Sequence, residues 1–207
     1  MLEQKQLLPV VSFTFSRKRC DDNIYLLSSL DLNTASEKSK IHLFIQKSLS
    51  ALKKEDQNIP QIVHLTDSLK RGIGVHHSGI LPIMKEIIEL LFQMSLIKVL
   101  FATETFAMGI NMPARTVIFD SIKKHDGTKF RLLLSSEYIQ MAGRAGRRGL
   151  DPTGTVIILC KNEVPDIRDL QEITLGKAQL LESSKYTQLS LVLIWAVYVI
   201  KNIVFYP

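Results

Sequence analysis

Three polar side chains in the last third of the chain are spaced to contact one phosphate-bearing ligand. In residues 137–149, EYIQMAGRAGRRG, Gln140, Arg144 and Arg147 recur at intervals of four and three residues. A helix through this segment would place them on one face, along about 10 Å of its axis. Arginine stays charged, and its planar fork matches phosphate oxygens. The pattern predicts phosphate recognition, with at least one arginine reaching a nucleotide that is held elsewhere.

The residues between these side chains have almost no bulk. Ala142, Gly143, Ala145 and Gly146 fill the intervening positions. Each glycine costs a helix about 1 kcal/mol relative to alanine, so their use indicates close approach by another surface or by a ligand. A solvated basic helix end beside a glycine-rich turn is the alternative interpretation.

Basic and hydroxyl side chains also follow an apolar strand near the N-terminus. Residues 9–15, PVVSFTF, are rich in β-branched and aromatic residues and predict a buried strand. Ser16 and Arg17 come directly after it, where open α/β sheets place ligand contacts. An ordinary strand-to-helix turn with solvated basic residues is the alternative.

Two adjacent histidines in the segment GIGVHHSGILP do not predict a metal site. On extended backbone, His76 and His77 point to opposite faces, and no cysteine or carboxylate lies close in sequence to complete a ligand set. Ser78 and Gly79 instead precede a predicted helix, whose first N–H groups suit a phosphate.

A further strand, residues 98–103, leads into the segment ETFAMGINMPARTVIFD. Gly109 permits backbone conformations that other residues avoid, and Asn111 suits a turn before the next strand. Taken alone, this segment is also compatible with a plain crossover loop.

These segments require a sheet and helices to position them. The sequence predicts strands at residues 9–15, 98–103, 116–120 and 155–160, the last one buried. It predicts helices at 21–30, at 65–71, from 82, at 137–149 with Ser135 or Ser136 as cap, and at 165–175. A capping box at Thr34 opens another helix, and residues 53–58 form a polar loop. Alternating strands and helices indicate an α/β domain with a mainly parallel sheet.

Composition sets broad limits on the function. The chain has 207 residues, 46% of them hydrophobic, which is enough for one sizeable core. A net charge of +6 is compatible with a polyanionic partner without establishing one. Two cysteines are too few for a disulfide framework or a zinc cluster.

Together, four of these segments resemble a known family. Residues 137–149 resemble motif VI of superfamily-two helicases, in the QxxGRxGR form. The segment after the first strand resembles motif IV, and the one containing Gly109 resembles motif V. With HHSGILP, they resemble the superkiller (Ski) type of DExH-box RNA helicase, a cofactor of the RNA exosome. The resemblance extends from about residue 9 to residue 176 and implies a RecA-like, three-layer α/β domain.

The resemblance also implies roles for individual residues. Catalytic roles fall to Gln140, Arg144 and Arg147, the arginines as fingers. ATP contacts fall to these three and to Gly109 and Asn111. RNA-backbone contacts fall to a set drawn from three segments: Ser16, Arg17, His77, Ser78, Gly79 and Thr103. Glu104 is expected to support its loop or to link the nucleic-acid side to the nucleotide side.

The sequence contains neither a GxxxxGK[ST] phosphate loop nor a DExH tetrad. In the family, these lie on the first of two RecA-like domains and hold the ATP phosphates and Mg²⁺. The chain therefore resembles the second RecA-like domain alone and is expected to be inactive by itself. We expect an N-terminal extension at 1–8, the domain at 9–176 and a divergent apolar tail at 177–207, for which truncation or splicing is a hypothesis.

Two functions remain open from the sequence. One is the second motor domain of an ATP-dependent 3′–5′ RNA helicase in exosome-linked RNA decay. The other is a non-catalytic, truncated module that binds RNA or a partner. The resemblance implies RNA, the missing first RecA-like domain, tetratricopeptide- and WD-repeat subunits and the exosome as partners. It implies a cytoplasmic setting, with a nuclear one as the alternative, and we do not expect membrane contact.

Overall fold

The computed structural model describes residues 2, 4–109, 112–160 and 164–176. Residues 1–176 form one compact unit. The predicted apolar tail lies outside the described residues. Within the described part of the chain, no helix is long and apolar enough to cross a membrane.

A five-stranded parallel sheet forms the centre of the described unit. Its strands run in the order β2-β3-β1-β4-β7, and Val10 of the central strand pairs with Val99 on one side and Thr116 on the other. Every residue of β1 to β4 is buried, as expected for parallel strands covered on both faces. The bounds are β1 Val10–Phe13, β2 Ile73–His76, β3 Val99–Ala102, β4 Thr116–Phe119 and β7 Thr155–Ile158.

Helices flank this sheet, and a small antiparallel hairpin extends from it. The hairpin is formed by β5, Lys123–His125, and β6, Phe130–Leu132. The helices are α1 Arg17–Leu26, α2 Ala35–Leu49, α3 Lys54–Gln57, α4 Pro60–Lys70, α5 Pro82–Gln93, α6 Thr105–Gly109, α7 Ser135–Ala142 and α8 Ile167–Leu175. The predicted α/β class with a mainly parallel sheet is confirmed.

Several predicted elements are corrected. The sequence missed β2, because its four residues include Gly74, which weakens the strand signal but lets Leu100 and Ile97 pack close by. Helix α4 begins at Pro60, earlier than predicted, and α3 replaces the predicted polar loop. Strand β7 is not buried, because it lies at the sheet edge with Val156 36% exposed.

The predicted capping box at the start of α2 is present. Thr34 Oγ1 accepts from the Glu37 amide, and the Thr34 amide donates to the Glu37 carboxylate at 2.8 Å. The same carboxylate accepts from Lys98 Nζ at 2.7 Å, which ties α2 to the residue before β3. The hydrogen bonds from Lys98 and from the Thr34 amide lower the pKa of Glu37 to about 2.

We predict that Glu37→Gln destabilises the fold at neutral pH by about 1 kcal/mol or less, because it removes the charge and keeps the capping geometry. The pKa of Glu37 in the folded state is about 2, below the ordinary 4.5. The stabilisation of the fold by the charged Glu37 side chain is therefore present above pH 4.5 and is lost as the pH falls toward 2. Urea unfolding of both proteins across this range measures it. The matched control is Glu55→Gln on the exposed surface of α3. A difference between wild type and Glu37→Gln that did not shrink on acidification would contradict the assignment.

Candidate functional site

The helix that was predicted to carry Gln140, Arg144 and Arg147 ends before the arginines. Helix α7 stops at Ala142, with Gly143 as its C-cap. Gln140 is exposed on the helix, whereas Arg144 and Arg147 lie in the segment beyond it. The predicted common helical face is therefore wrong.

Tertiary pairing explains why the helix stops there. The Ala114 amide donates to the Arg144 carbonyl at 2.8 Å, and the Gly146 amide donates to the Ala114 carbonyl at 2.7 Å. Gly146 has φ +90°, which favours glycine, and a Cβ on Gly154 would overlap the Ala145 carbonyl. The close approach indicated by the small residues is thus met by the protein's own backbone.

The start of α7 also differs from expectation. Neither predicted serine caps it: the Ser135 hydroxyl donates to the Gly176 carbonyl at 3.0 Å. The Glu137 carboxylate instead accepts from the Leu134 amide at 3.0 Å. An acidic side chain in the first turn is a favourable partner for the helix dipole.

Arg144 and Arg147 contact different parts of the domain. The Arg144 guanidinium donates to the carbonyl of Ala107 in α6. The Arg147 guanidinium forms a bidentate pair with Asp151, through Nε at 2.8 Å and Nη2 at 3.0 Å. A longer contact of 3.5 Å joins Arg147 to Ser95 Oγ. Arg144 thus ties the segment to the motif V region, and Arg147 lies at the turn that leads to β3.

Asp151 organises the surroundings of Arg147. Its side chain is 2% exposed, and it accepts from the Arg147 backbone amide at 3.0 Å as well as from the guanidinium. Hydrogen bonds from Arg147 lower the pKa of Asp151 to about 2. Arg115 lies 3.8 Å away on the same carboxylate. The Arg147 side chain, 21% exposed, is therefore held in a defined position by a charged partner.

A cavity of about 270 Å³ opens beside Arg147. It lies at the end of the sheet where the strands begin, because Pro9 and Pro113 on its wall precede β1 and β4. Arg147 and Arg148 supply its positive charge, and its other lining residues are Phe92, Gln93, Ser95, Met112 and Leu150. A largely apolar wall with two guanidinium groups suits a planar or phosphorylated ligand.

Three of the six residues predicted to contact RNA gather at the opposite end of the sheet. Arg17, Ser78 and Thr103 follow β1, β2 and β3, which are neighbours in the sheet, and all three line a cavity of about 200 Å³. Thr103 Oγ1 lies 3.0 Å from Thr105 Oγ1, so hydroxyl groups cluster on one wall. We call this space the carboxyl-edge cavity; its remaining lining residues are Phe15, Glu104, Thr105, Lys124 and His125.

His77 lies at the turn beside this cavity and does not line it. Its side chain is 4% exposed; Nδ1 accepts from the Gly79 amide at 3.0 Å, which leaves Nε2 to donate to Asp21 at 3.2 Å. The ring therefore shapes the turn at Ser78 and presents no free nitrogen to a ligand. The predicted contact of His77 with RNA stays a prediction, since these bonds show only how the ring is held within the protein.

Two backbone amides of this turn are also engaged within the protein. The Gly79 amide is used by His77, while Gln61 Oε1 accepts from the Leu81 amide at 2.9 Å. Gln61 Nε2 donates to the Gly79 carbonyl at 3.0 Å, so this side chain, which sequence analysis missed, fixes the turn from α4. Ser16 likewise has a structural contact, because its Oγ accepts from the Arg19 amide at the start of α1.

A charged cluster that the sequence did not reveal joins the hairpin to α6 and α7. Lys124 Nζ lies 2.6 Å from Glu104 Oε2 and 2.9 Å from Glu137 Oε1. Arg131 holds Glu137 in a bidentate pair at 2.8 and 3.0 Å. Burial works to raise the pKa of Glu137, but hydrogen bonds from Arg131, Lys124 and Leu134 lower it to about 2. We call Glu104, Lys124, Arg131 and Glu137 the hairpin cluster.

The remaining expectations concern Gly109, Asn111 and metal binding. Gly109 is the last residue of α6, and Asn111 lies outside the described residues. His76 bonds to Glu89 of α5 at 2.7 Å and His77 to Asp21 of α1, so the adjacent rings engage different helices. Among the residues that the structure describes, no group of three histidine, cysteine or acidic side chains is placed to hold a metal.

Comparison with known proteins identifies the family. The model of the helicase conserved C-terminal domain matches residues 22–149. Human superkiller complex protein 2 is 63% identical over 182 residues, which cover 88% of this chain and 15% of that protein. Antiviral helicase SKI2 of Saccharomyces cerevisiae is 54% identical over 88% of this chain and 14% of its own length. Human exosome RNA helicase MTR4 is 48% identical over 89% of this chain and 17% of its own length.

The chain spans less than a fifth of the length of these relatives, since the matches cover 14% to 17% of them. The family model spans three of the four segments that suggested the resemblance: residues 72–82, 104–120 and 137–149. The chain therefore belongs to the helicase conserved C-terminal domain family, as a domain of the Ski2/Mtr4-like RNA helicases.

Proposed function

We propose that this chain is the second motor domain of an ATP-dependent 3′–5′ RNA helicase that acts in exosome-linked RNA decay. One observation carries the proposal. Arg17, Ser78 and Thr103 come from three separate segments with family-like sequence, and they meet in one cavity. Loops after parallel strands are the usual ligand-binding edge of such a sheet.

On the RNA side, the carboxyl-edge cavity would hold the sugar–phosphate backbone. Arg17 supplies a charge, while Ser78 and Thr103 supply hydroxyl donors. Such contacts position a strand without identifying its bases, so binding would depend weakly on sequence and strongly on salt. Gly79 and Ser16 would hold the turns on either side of this grip, and His77 would orient the first of them.

On the nucleotide side, ATP would bind between this domain and a first RecA-like domain. That partner would supply the phosphate loop and Mg²⁺, and this chain would supply Arg144, Arg147 and Gln140, together with Gly109 and Asn111. Arg147 is already paired with a carboxylate, and a phosphate offers the same bidentate geometry. Finger arginines accelerate phosphoryl transfer by roughly 10³ to 10⁵-fold by neutralising charge that develops in the transition state.

The names of two relatives support a proposal for the biological setting. One is a subunit of the superkiller complex, and another is named an exosome RNA helicase. We propose a cytoplasmic role in RNA decay, with tetratricopeptide- and WD-repeat subunits and the exosome as partners. A nuclear role is the alternative, because the exosome RNA helicase is also similar over most of the chain.

RNA binding by the purified chain tests the RNA side. We predict that Arg17→Gln weakens binding of single-stranded RNA and reduces the slope of log K against log salt by about 0.7, the value for one lost phosphate contact. Fluorescence anisotropy over a salt series measures both quantities. Lys18→Gln is the matched control, since Lys18 is also exposed but does not line the cavity. Equal effects of the two substitutions would contradict the assignment of Arg17.

ATP hydrolysis tests the nucleotide side. We predict no RNA-stimulated activity for the chain alone, and activity for human superkiller complex protein 2 in which residues 9–176 of this chain replace the matching segment. In that chimera, Arg147→Ala should lower kcat about 10³-fold or more, because the finger is lost. Arg147→Lys should also be strongly impaired, since lysine keeps the charge for Asp151 but lacks the planar fork.

The control for this experiment is Arg168→Ala, an exposed arginine of α8 that lines neither of the two cavities described above. Melting temperatures of all variants separate loss of the finger from loss of the Arg147–Asp151 pair. Full activity of a folded Arg147→Ala chimera would refute the finger assignment. An inactive chimera that still binds RNA would favour the non-catalytic module.

A further inference from the structure

The hairpin cluster connects two regions of the proposed function. Lys124 lies in β5 and forms ion pairs with two carboxylates. One belongs to Glu104, which precedes α6, and the other to Glu137, in the first turn of α7. The Lys124 side chain is only 12% exposed, so both pairs are screened less by water than surface ion pairs are. One ammonium group therefore fixes the relative positions of three elements.

Helix α7 runs from this cluster to the arginine segment. Glu137 accepts from the Leu134 amide at the helix start, and Gly143 closes the helix before Arg144. Eight residues of α-helix span about 12 Å. A shift of the first turn would thus be carried to the backbone that holds Arg144 and Arg147, because a helix of this length moves as a stiff rod.

The same lysine faces the carboxyl-edge cavity. Lys124 and Glu104 both line it, beside Arg17 and Thr103, whereas no described residue of α7 does. A phosphate in this cavity would attract the ammonium group and repel the carboxylate of Glu104. Occupancy of the cavity would then change the two ion pairs that Lys124 makes, while Arg131 continues to hold Glu137.

We propose that Lys124 is a positioning residue that couples RNA phosphate in the carboxyl-edge cavity to the placement of α7 and its arginine segment. The inference rests on the proposed function for the identity of the ligand. It assigns a role to the hairpin, which lies outside the four family-like segments. The RNA-dependent signal passes from phosphate to Lys124, from Lys124 to Glu137, and along α7.

The test is two-dimensional ¹H–¹⁵N NMR of the full chain, with and without a saturating short single-stranded oligouridylate. In the wild type we expect the amide resonances of Leu134 and Glu137 to shift on RNA binding, although neither residue lines the cavity. In Lys124→Gln these two shifts should be lost at equal RNA occupancy, while resonances at Ser78 and Thr103 still shift. Lys124→Arg should restore them, because arginine can bridge both carboxylates.

The matched control is Lys129→Gln, which removes an equal charge from the exposed turn of the same hairpin and should behave as the wild type. Glu137→Gln cuts the link from its other end, because it removes the charge that pairs with Lys124, and it should also abolish the shifts at residues 134 and 137, so the test survives if Lys124→Gln fails to fold. Shifts of wild-type size in Lys124→Gln and Glu137→Gln would overturn the coupling role alone. Absence of RNA binding by the wild type would overturn both this role and the proposed function.

Discussion

The pairing of Ala114 with the backbone of residues 144–146 is the contact on which the rest of the site depends. It fastens the segment after α7 to the start of β4 and ends the helix at Gly143. It requires glycine at Gly146, where φ is positive, and at Gly154, where no side chain fits. Without this pairing, the backbone that carries Arg144 and Arg147 would lose its link to the start of β4.

This constraint places the two predicted interfaces at opposite ends of one sheet. The residues proposed to bind RNA lie just after the strands, whereas the arginine segment lies where the strands begin. Helices α6 and α7 run between these ends. The Arg144 guanidinium, in the segment that follows α7, bonds to a carbonyl of α6. A motor domain needs such a link, because nucleotide state and RNA grip must influence each other.

The sequence predicts much of the frame because local signals dominate there. The Thr34 capping box, the β-branched strands and Pro82 at the start of α5 are each encoded within a few residues. The gathering of Arg17, Ser78 and Thr103 follows from a general property of parallel sheets.

The remainder depends on contacts between residues far apart in the chain. The spacing of Gln140, Arg144 and Arg147 fits a helix. The helix ends because the backbone after it pairs with Ala114, which lies thirty residues before Arg144 in the chain. The short β2 has too weak a pattern to detect. Gln61 and Lys124 are ordinary polar residues until the fold brings them to Gly79 and Glu137.

Photo-cross-linking tests the central claim most directly. Single-stranded RNA that contains 4-thiouridine is irradiated with the full chain, and the linked peptides are mapped by mass spectrometry. The account predicts cross-links in the peptides that contain Arg17, Ser78 and Thr103, at the ends of three neighbouring strands. Cross-links confined to the opposite end of the sheet, around Pro113 and Arg148, would contradict it.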